Sequence, residues 1–142
     1  MRTPERVDRF IDWLIAALGA EYRTEQVVEA AIPGGVGSAV WVGDVTVESG
    51  DQRMGSRRRD VTLTVDVQLV GVVLGGTAAD ARHETTALAE RFESLANGVP
   101  VETDAGVCSM VATALSFEAF ALDPNGRGMT AVYQLTAQFR TD

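Results

Sequence analysis

The chain has 142 residues, of which 46% are hydrophobic and 23% charged, and its formal net charge is -8. This composition is typical of a folded globular protein and excludes a disordered chain, and the length suits one hydrophobic core, so we expect a single domain over residues 1–142. The acidity disfavours general binding to nucleic acid, and the apolar runs are shorter than the roughly 18 residues of a membrane-spanning helix.

The first predicted element is an amphipathic helix over residues 4–18. We expect Thr3 to cap this helix, Pro4 to occupy its first turn and Gly19 to end it. Trp13 lies beside the apolar stripe, so it is either at the margin of the core or a contact for a neighbouring chain. The stripe itself recurs at three- and four-residue steps and consists of Val7, Phe10, Ile11, Leu14, Ile15 and Leu18.

A connection, two strands and a loop are predicted next. Residues 21–38 are interpreted as a connection because Pro33 and the nearby glycines disfavour regular structure, with a short strand at residues 26–30. β-branched and aromatic residues favour a strand over residues 40–48, and residues 61–69 alternate between apolar and polar as in a half-buried strand. We expect residues 49–58, between these strands, to form a long mobile loop.

The second half of the sequence predicts a helix and a hairpin. Gly71, Gly75 and Gly76 are expected to close the preceding strand. Strands over residues 107–120 and 129–140 are expected to pair as a long hairpin around a turn-rich segment. The helix that precedes this hairpin is expected to be capped by Thr77 or Asp80, to bury Ala81, Thr85, Leu88, Phe92 and Leu95, and to end at Asn97 and Gly98.

The order of elements predicts the fold class. Helices and strands do not alternate regularly, as they would in a doubly wound parallel fold. We therefore expect an α+β fold with a single mostly antiparallel or mixed sheet packed against two α-helices.

No combination of residue types indicates a catalytic centre. His83 has no cysteine or second histidine nearby, and no pair of carboxylates is marked out by its spacing. Cys108 lies in an apolar run, where a buried structural role is expected. We expect no enzymatic activity, no cofactor and no metal. A small-ligand pocket around Trp41, Tyr133 or His83 is the alternative hypothesis.

A cluster of arginines is the most unusual local feature. Arg53, Arg57, Arg58 and Arg59 supply a third of the twelve basic residues. They form either a solvated edge or a docking arm, because arginine pairs well with carboxylates of an acidic neighbouring subunit. These four arginines and Trp13 are the candidate inter-subunit contacts.

The layout as a whole resembles the tail terminator, or minor tail protein, family of long-tailed phages with siphovirus-like tails. The resemblance rests on the N-terminal helix, the loop at residues 49–58 leading into the strand at 59–70, the helix at 80–96 and the closing hairpin at 107–140. It implies a structural virion protein at the head-proximal end of the tail. Such a protein forms a hexameric ring that caps the tail tube, stops its polymerisation and provides the docking surface for the head connector.

The resemblance also implies partners and a location. The partners are further copies of the chain, the tail tube protein and the head-tail connector protein, with assembly in the host cytoplasm and no membrane. Genomic DNA passes the lumen without specific binding, and an acidic surface suits this passage because like charge prevents adhesion. The charged N-terminus differs from a signal peptide. Another head-tail neck protein or a tail tube subunit is the alternative within the virion.

Overall fold

The computed structural model describes residues 1–23, 25–29, 37–49, 59–122 and 126–141. The strands form one sheet in the order β1-β2-β3-β6-β5-β4, in which β1 is parallel to β2 and the other described pairings are antiparallel. The predicted α+β class, with one mostly antiparallel sheet packed against two helices, is confirmed. Within the described residues the elements are α1 (Thr3–Glu21), β1 (Gln26–Glu29), β2 (Ala39–Ser49), β3 (Arg59–Leu74), α2 (Ala78–Leu95), β4 (Asn97–Thr103), β5 (Gly106–Leu122) and β6 (Gly126–Thr141).

Both ends of α1 differ from the prediction. Thr3 is already helical, and Arg2 is the N-cap without a side-chain hydrogen bond. Proline is accepted throughout the first turn, so Pro4 did not identify the capping residue. The helix also continues past Gly19 to Glu21. Tyr22, 1% exposed, follows directly and anchors this last turn in the core, which offsets the roughly 1 kcal/mol that glycine costs in a helix.

Gly71 does not close β3, which continues to Leu74. A Cβ at Gly71 would lie 2.3 Å from Thr85 Oγ1, so the glycine is where α2 crosses closely over the strand. The Thr85 hydroxyl is fully buried and donates to the carbonyl oxygen of Met129 at 3.0 Å. These contacts seat α2 on the strand pair β3 and β6.

The predictions for both ends of α2 are confirmed, since Thr77 is its N-cap and its C-cap, Ala96, directly precedes Asn97. Thr77 Oγ1 accepts from the Asp80 N–H at 3.2 Å, and the Asp80 carboxylate accepts from the Thr77 N–H at 2.9 Å. Asn97 begins β4, a strand that the sequence analysis missed. Pro100 is tolerated there because β4 lies at the sheet margin, where one side of the strand needs no hydrogen bonds.

The predicted long hairpin is confirmed, since β5 and β6 pair from Cys108↔Phe139 to Leu122↔Gly126. Both helices pack on the same face of the sheet. The Phe10 ring of α1 meets Phe139 edge to face at 5.5 Å. Phe92 of α2 meets Tyr133 in the same way at 5.4 Å. The central strands contribute Val61, Leu63, Val65, Val67, Leu69, Ala131, Leu135 and Ala137 to this core, all buried.

The two helices are also joined to each other. The Tyr22 hydroxyl donates to the Leu88 carbonyl oxygen at 2.7 Å, and the Arg91 guanidinium lies 4.5 Å from the centre of the Tyr22 ring. Arg91 Nε donates to Glu21 Oε1 at 3.1 Å. Burial raises the pKa of Tyr22, so the hydroxyl keeps the proton that it donates. The helical layer is therefore tied together on one side of the sheet.

Candidate assembly surface

Alternate residues of the central strands point away from the helices and form what we call the helix-free face. On β3 these positions include Thr62, Thr64 and Asp66, which are half-buried or exposed. On β6 they include Gln134 and Thr136, which pair with Asp66 and Thr64. Both described helices lie on the opposite side, so no described helix covers this face.

The helix-free face is acidic. Its acidic positions outnumber its basic ones, since Arg140, opposite Asp60, is the one arginine that the described strands place on it, and hydroxyl and amide groups occupy much of its centre. A surface with an excess of negative charge repels polyanions, which disfavours the binding of DNA to this face. Its carboxylates, placed by strand register and all exposed, are Glu48, Asp60, Asp66, Glu102 and Glu118.

Exposed apolar side chains border this face along β4 and β5. Val99, Val107 and Val111 are 63%, 58% and 51% exposed. Beside them runs a groove, and apolar side chains grouped at a sheet margin are typical of contact surfaces. The groove is lined by Pro100, Val107, Cys108, Ser109 and Gln138.

Both margins of the sheet have edges without a described neighbour. β4 pairs with β5 only as far as Val111, so residues 112–122 of β5 have β6 on one side and no described strand on the other. Leu115 and Phe117 are 53% and 46% exposed there. At the opposite margin, β1 pairs with residues 39–42 of β2, and residues 43–49 have no second described neighbour. Long apolar edges are prone to pair with other chains.

The candidate inter-subunit contacts are only partly described. Arg53, Arg57 and Arg58 lie outside the described residues, as does the predicted loop beyond Ser49. Arg59 is the first residue of β3 and pairs with Thr141, but its side chain is not described. The docking arm stays a prediction.

Trp13 lies at the margin of the core. Its ring stacks on Phe10 with 6.0 Å between centroids and 22° between planes. The side chain is half-buried, so it packs against the core and still presents one part to solvent. Its contact with a neighbouring chain stays a prediction.

The hypothetical ligand pocket is not formed by the residues proposed for it. Trp41 pairs with Gln68 and therefore lies on the helix-free face. Tyr133 is 2% exposed and lies beneath α2 on the other face. His83 is exposed on α2. The sheet separates Trp41 from the other two side chains, so the three do not line a common cavity.

Three findings concern the Cys108 thiol, metal binding and the membrane. Cys108 is 2% exposed, as predicted, and burial raises the pKa of its thiol to about 11, so the thiol stays protonated and weakly nucleophilic. Among the described residues, no group of three or more His, Cys, Asp and Glu side chains is placed to hold a metal ion. Neither of the described helices is long and apolar enough to span a membrane.

The sequence analysis missed the free edge of β5, although a signal was present. From Ala131 to Ala137 β6 alternates between buried and half-buried residues, whereas residues 114–122 of β5 are apolar on both faces except for Ser116 and Glu118. Apolar residues on both faces of a strand indicate that both faces or an edge are covered.

Comparisons with known proteins identify a fold rather than a family. No protein-family model and no curated protein sequence matches the chain. Among solved structures, the chain is similar to a chain of the structure described as the virion of a native gene transfer agent (GTA) particle. The two chains are 17% identical with a TM-score of 0.50, over 87% of this chain and 86% of that chain. At this identity the likeness shows a shared fold.

Proposed function

We propose that this chain is a structural protein of a phage-like virion, and that it acts by assembly rather than by catalysis. Its station in this proposal is the tail terminator. Copies form a hexameric ring at the head-proximal end of the tail. The ring caps the tail tube, stops its polymerisation and provides the surface on which the head-tail connector protein docks.

The helix-free face is the observation that carries this proposal. It exposes five carboxylates, and the described strands place one basic residue, Arg140, on the same face. A ring that turns this face inward encloses an acidic lumen. Non-specific DNA binding requires basic side chains that release counterions from phosphates, so genomic DNA passes such a lumen without adhering.

The solved-structure likeness supports the broader part of the proposal. The similar chain belongs to the virion of a gene transfer agent particle, and the shared fold extends over most of both chains. A virion role for this chain agrees with that likeness. The specific station rests on the acidic face and on the free edges of the sheet.

Light scattering combined with negative-stain imaging tests the station, using the purified protein alone and with isolated tail tubes. We expect closed rings that bind one end of a tube and prevent its extension by added tube subunits. Open-ended filaments would instead identify a tube subunit. A persistent monomer that ignores tubes would refute the virion proposal.

A charge exchange tests the lumen. Asp66 and Thr130 lie on the helix-free face, and replacing both by Lys adds three positive charges. Replacing Asp12 and Thr86 by Lys adds the same charge at exposed helical positions and is the matched control. In gel-shift assays at low salt, we expect rings of the Asp66 and Thr130 variant, and not those of the control, to retain duplex DNA. We expect added salt to release the DNA. Equal retention by both variants would contradict a lumen formed by the helix-free face.

A further inference from the structure

The two free edges of the sheet lie at opposite margins and at opposite ends. Among the described residues, β1 covers residues 39–42 of β2, and residues 43–49 have no second neighbour. β4 covers β5 up to Val111, and no other described strand pairs with the outer edge of residues 112–122. An open edge of one copy can therefore meet the other open edge of a second copy without displacing β1 or β4.

The directions of the two strands suit such pairing. From β2 through β3 and β6 to β5, each step is antiparallel, so β2 and β5 run in opposite directions. A rotation that relates neighbours in a ring preserves strand direction along the ring axis. β5 of one copy therefore meets β2 of the next copy antiparallel, which is the pairing that a continuous antiparallel sheet requires.

Side-chain pattern selects one register. Phe117 and Val47 are 46% and 42% exposed, and both occupy positions on the helix side of the sheet. Setting these two opposite each other aligns residues 115–121 of β5 with residues 43–49 of β2. Aromatic and β-branched side chains form a favourable cross-strand pair.

Alternative registers are disfavoured. A slip by one residue would place helix-side positions opposite helix-free positions. A slip by two residues in one direction would place Glu118 opposite Glu48, and like charges directly opposite each other are destabilising. A slip by two in the other direction would place Glu118 at the irregularity of β2 between Val42 and Val45, which contains Asp44. In the selected register Glu118 lies opposite Thr46.

The stagger between copies is compatible with a closed ring. Val47 pairs with Leu63 of β3, and Phe117 is aligned with Leu69 of β3 through Ala131 of β6. Leu63 and Leu69 are six residues apart. At about 3.4 Å per residue the copies are offset by about 20 Å, while four strands about 4.8 Å apart are about 19 Å wide. The corresponding strand tilt is about 45°, at the upper end of the range for closed sheets.

We propose that copies of this chain join edge to edge, with the free edge of β5 paired antiparallel to the free edge of β2 in the next copy and Phe117 opposite Val47. β4 and the second copy's β2 then cover nearly the whole outer edge of β5. This inference deepens the proposed function, on which it rests for closure into a ring.

Disulfide cross-linking tests the pairing. Opposite residues in antiparallel strands have Cα atoms about 4.5–5.5 Å apart, within the range that a disulfide bridges. The variant with Val47→Cys and Phe117→Cys is oxidised and run on a non-reducing denaturing gel. Controls are the parent protein, which retains the buried Cys108, each single variant, and Thr46→Cys with Phe117→Cys, whose thiols lie on opposite faces.

We expect a reductant-sensitive ladder up to the ring size from the Val47 and Phe117 pair, and monomers from every control. Dimers from Phe117→Cys alone would show β5 pairing with β5 and overturn the proposal. Absence of the ladder overturns it too, whether the protein forms rings or stays monomeric at every concentration. Rings without a ladder would refute the edge pairing but not the proposed tail-terminator function. A ladder in open filaments would support the edge pairing and refute the tail-terminator function.

Discussion

The contact between Gly71 and Thr85 determines how closely α2 packs on β3, and replacing Gly71 by Ala tests it. The added Cβ would lie 2.3 Å from Thr85 Oγ1 and 2.7 Å from the Thr85 backbone nitrogen. Both distances are shorter than carbon atoms tolerate. Because one of them involves backbone, a change of Thr85 rotamer cannot relieve it, and the helix has to move away from the strand.

The cost has two parts. Adding a methyl group to a well-packed core costs about 1–3 kcal/mol. Displacement of α2 also breaks the hydrogen bond from Thr85 Oγ1 to the Met129 carbonyl oxygen, and leaving such buried groups unpaired costs about 1–3 kcal/mol. We therefore expect Gly71→Ala to lower the free energy of unfolding by about 2–6 kcal/mol.

Denaturant unfolding followed by circular dichroism measures this change. Gly19→Ala is the matched control, because it adds the same atoms at an exposed helical site with nothing within 4 Å of the new Cβ. Alanine has the higher helix propensity, so the control is expected to gain up to about 1 kcal/mol. A Gly71→Ala protein as stable as the parent would refute the inferred packing of α2 on β3.

Two predictions concern titratable groups. Hydrogen bonds from the Thr77 backbone and side chain hold the pKa of Asp80 below its usual value, so its ionised form stabilises the fold above the unfolded pKa. In denaturant unfolding at pH 7, we expect the parent to have a higher free energy of unfolding than Asp80→Asn. We expect this difference to shrink as pH falls through the lowered pKa. Cys108, buried with a pKa of about 11, is expected to react with a thiol reagent at pH 8 far more slowly in the native than in the unfolded protein. A native rate matching that of a cysteine introduced at Thr86, an exposed position of α2, would contradict its burial.

The elements that the sequence predicted best are half-buried ones, because one-sided burial leaves a period in the residue pattern. The five alternate apolar residues from Val61 to Leu69 are buried in β3, and those from Ala131 to Phe139 are buried in β6. The stripe of α1 likewise places Phe10 and Leu14 in the core. In each case the period alone shows which side of the element meets the core.

Element ends were less predictable because glycine and proline have several structural uses. Gly19 lies within α1, Gly71 lies beneath Thr85, and Pro100 lies in a marginal strand. Each residue type is also typical of a turn, and only the tertiary neighbour decides between these uses. The acidic face could not be predicted from the sequence for the same reason. Asp66 and Glu118 share this face only through the pairing of β3, β6 and β5.

One local irregularity connects the acidic face with the proposed edge contact. Between Ala114 and Ser116 the register of β5 shifts, so two residues of β5 oppose one residue of β6. Before this bulge Met110 lies on the helix side, and after it Phe117 does. Without the extra residue the alternation would place Phe117 on the helix-free face and Glu118 on the helix side. The bulge therefore gives the helix-free face one of its carboxylates and also brings Phe117 to the side on which Val47 of a second copy would meet it.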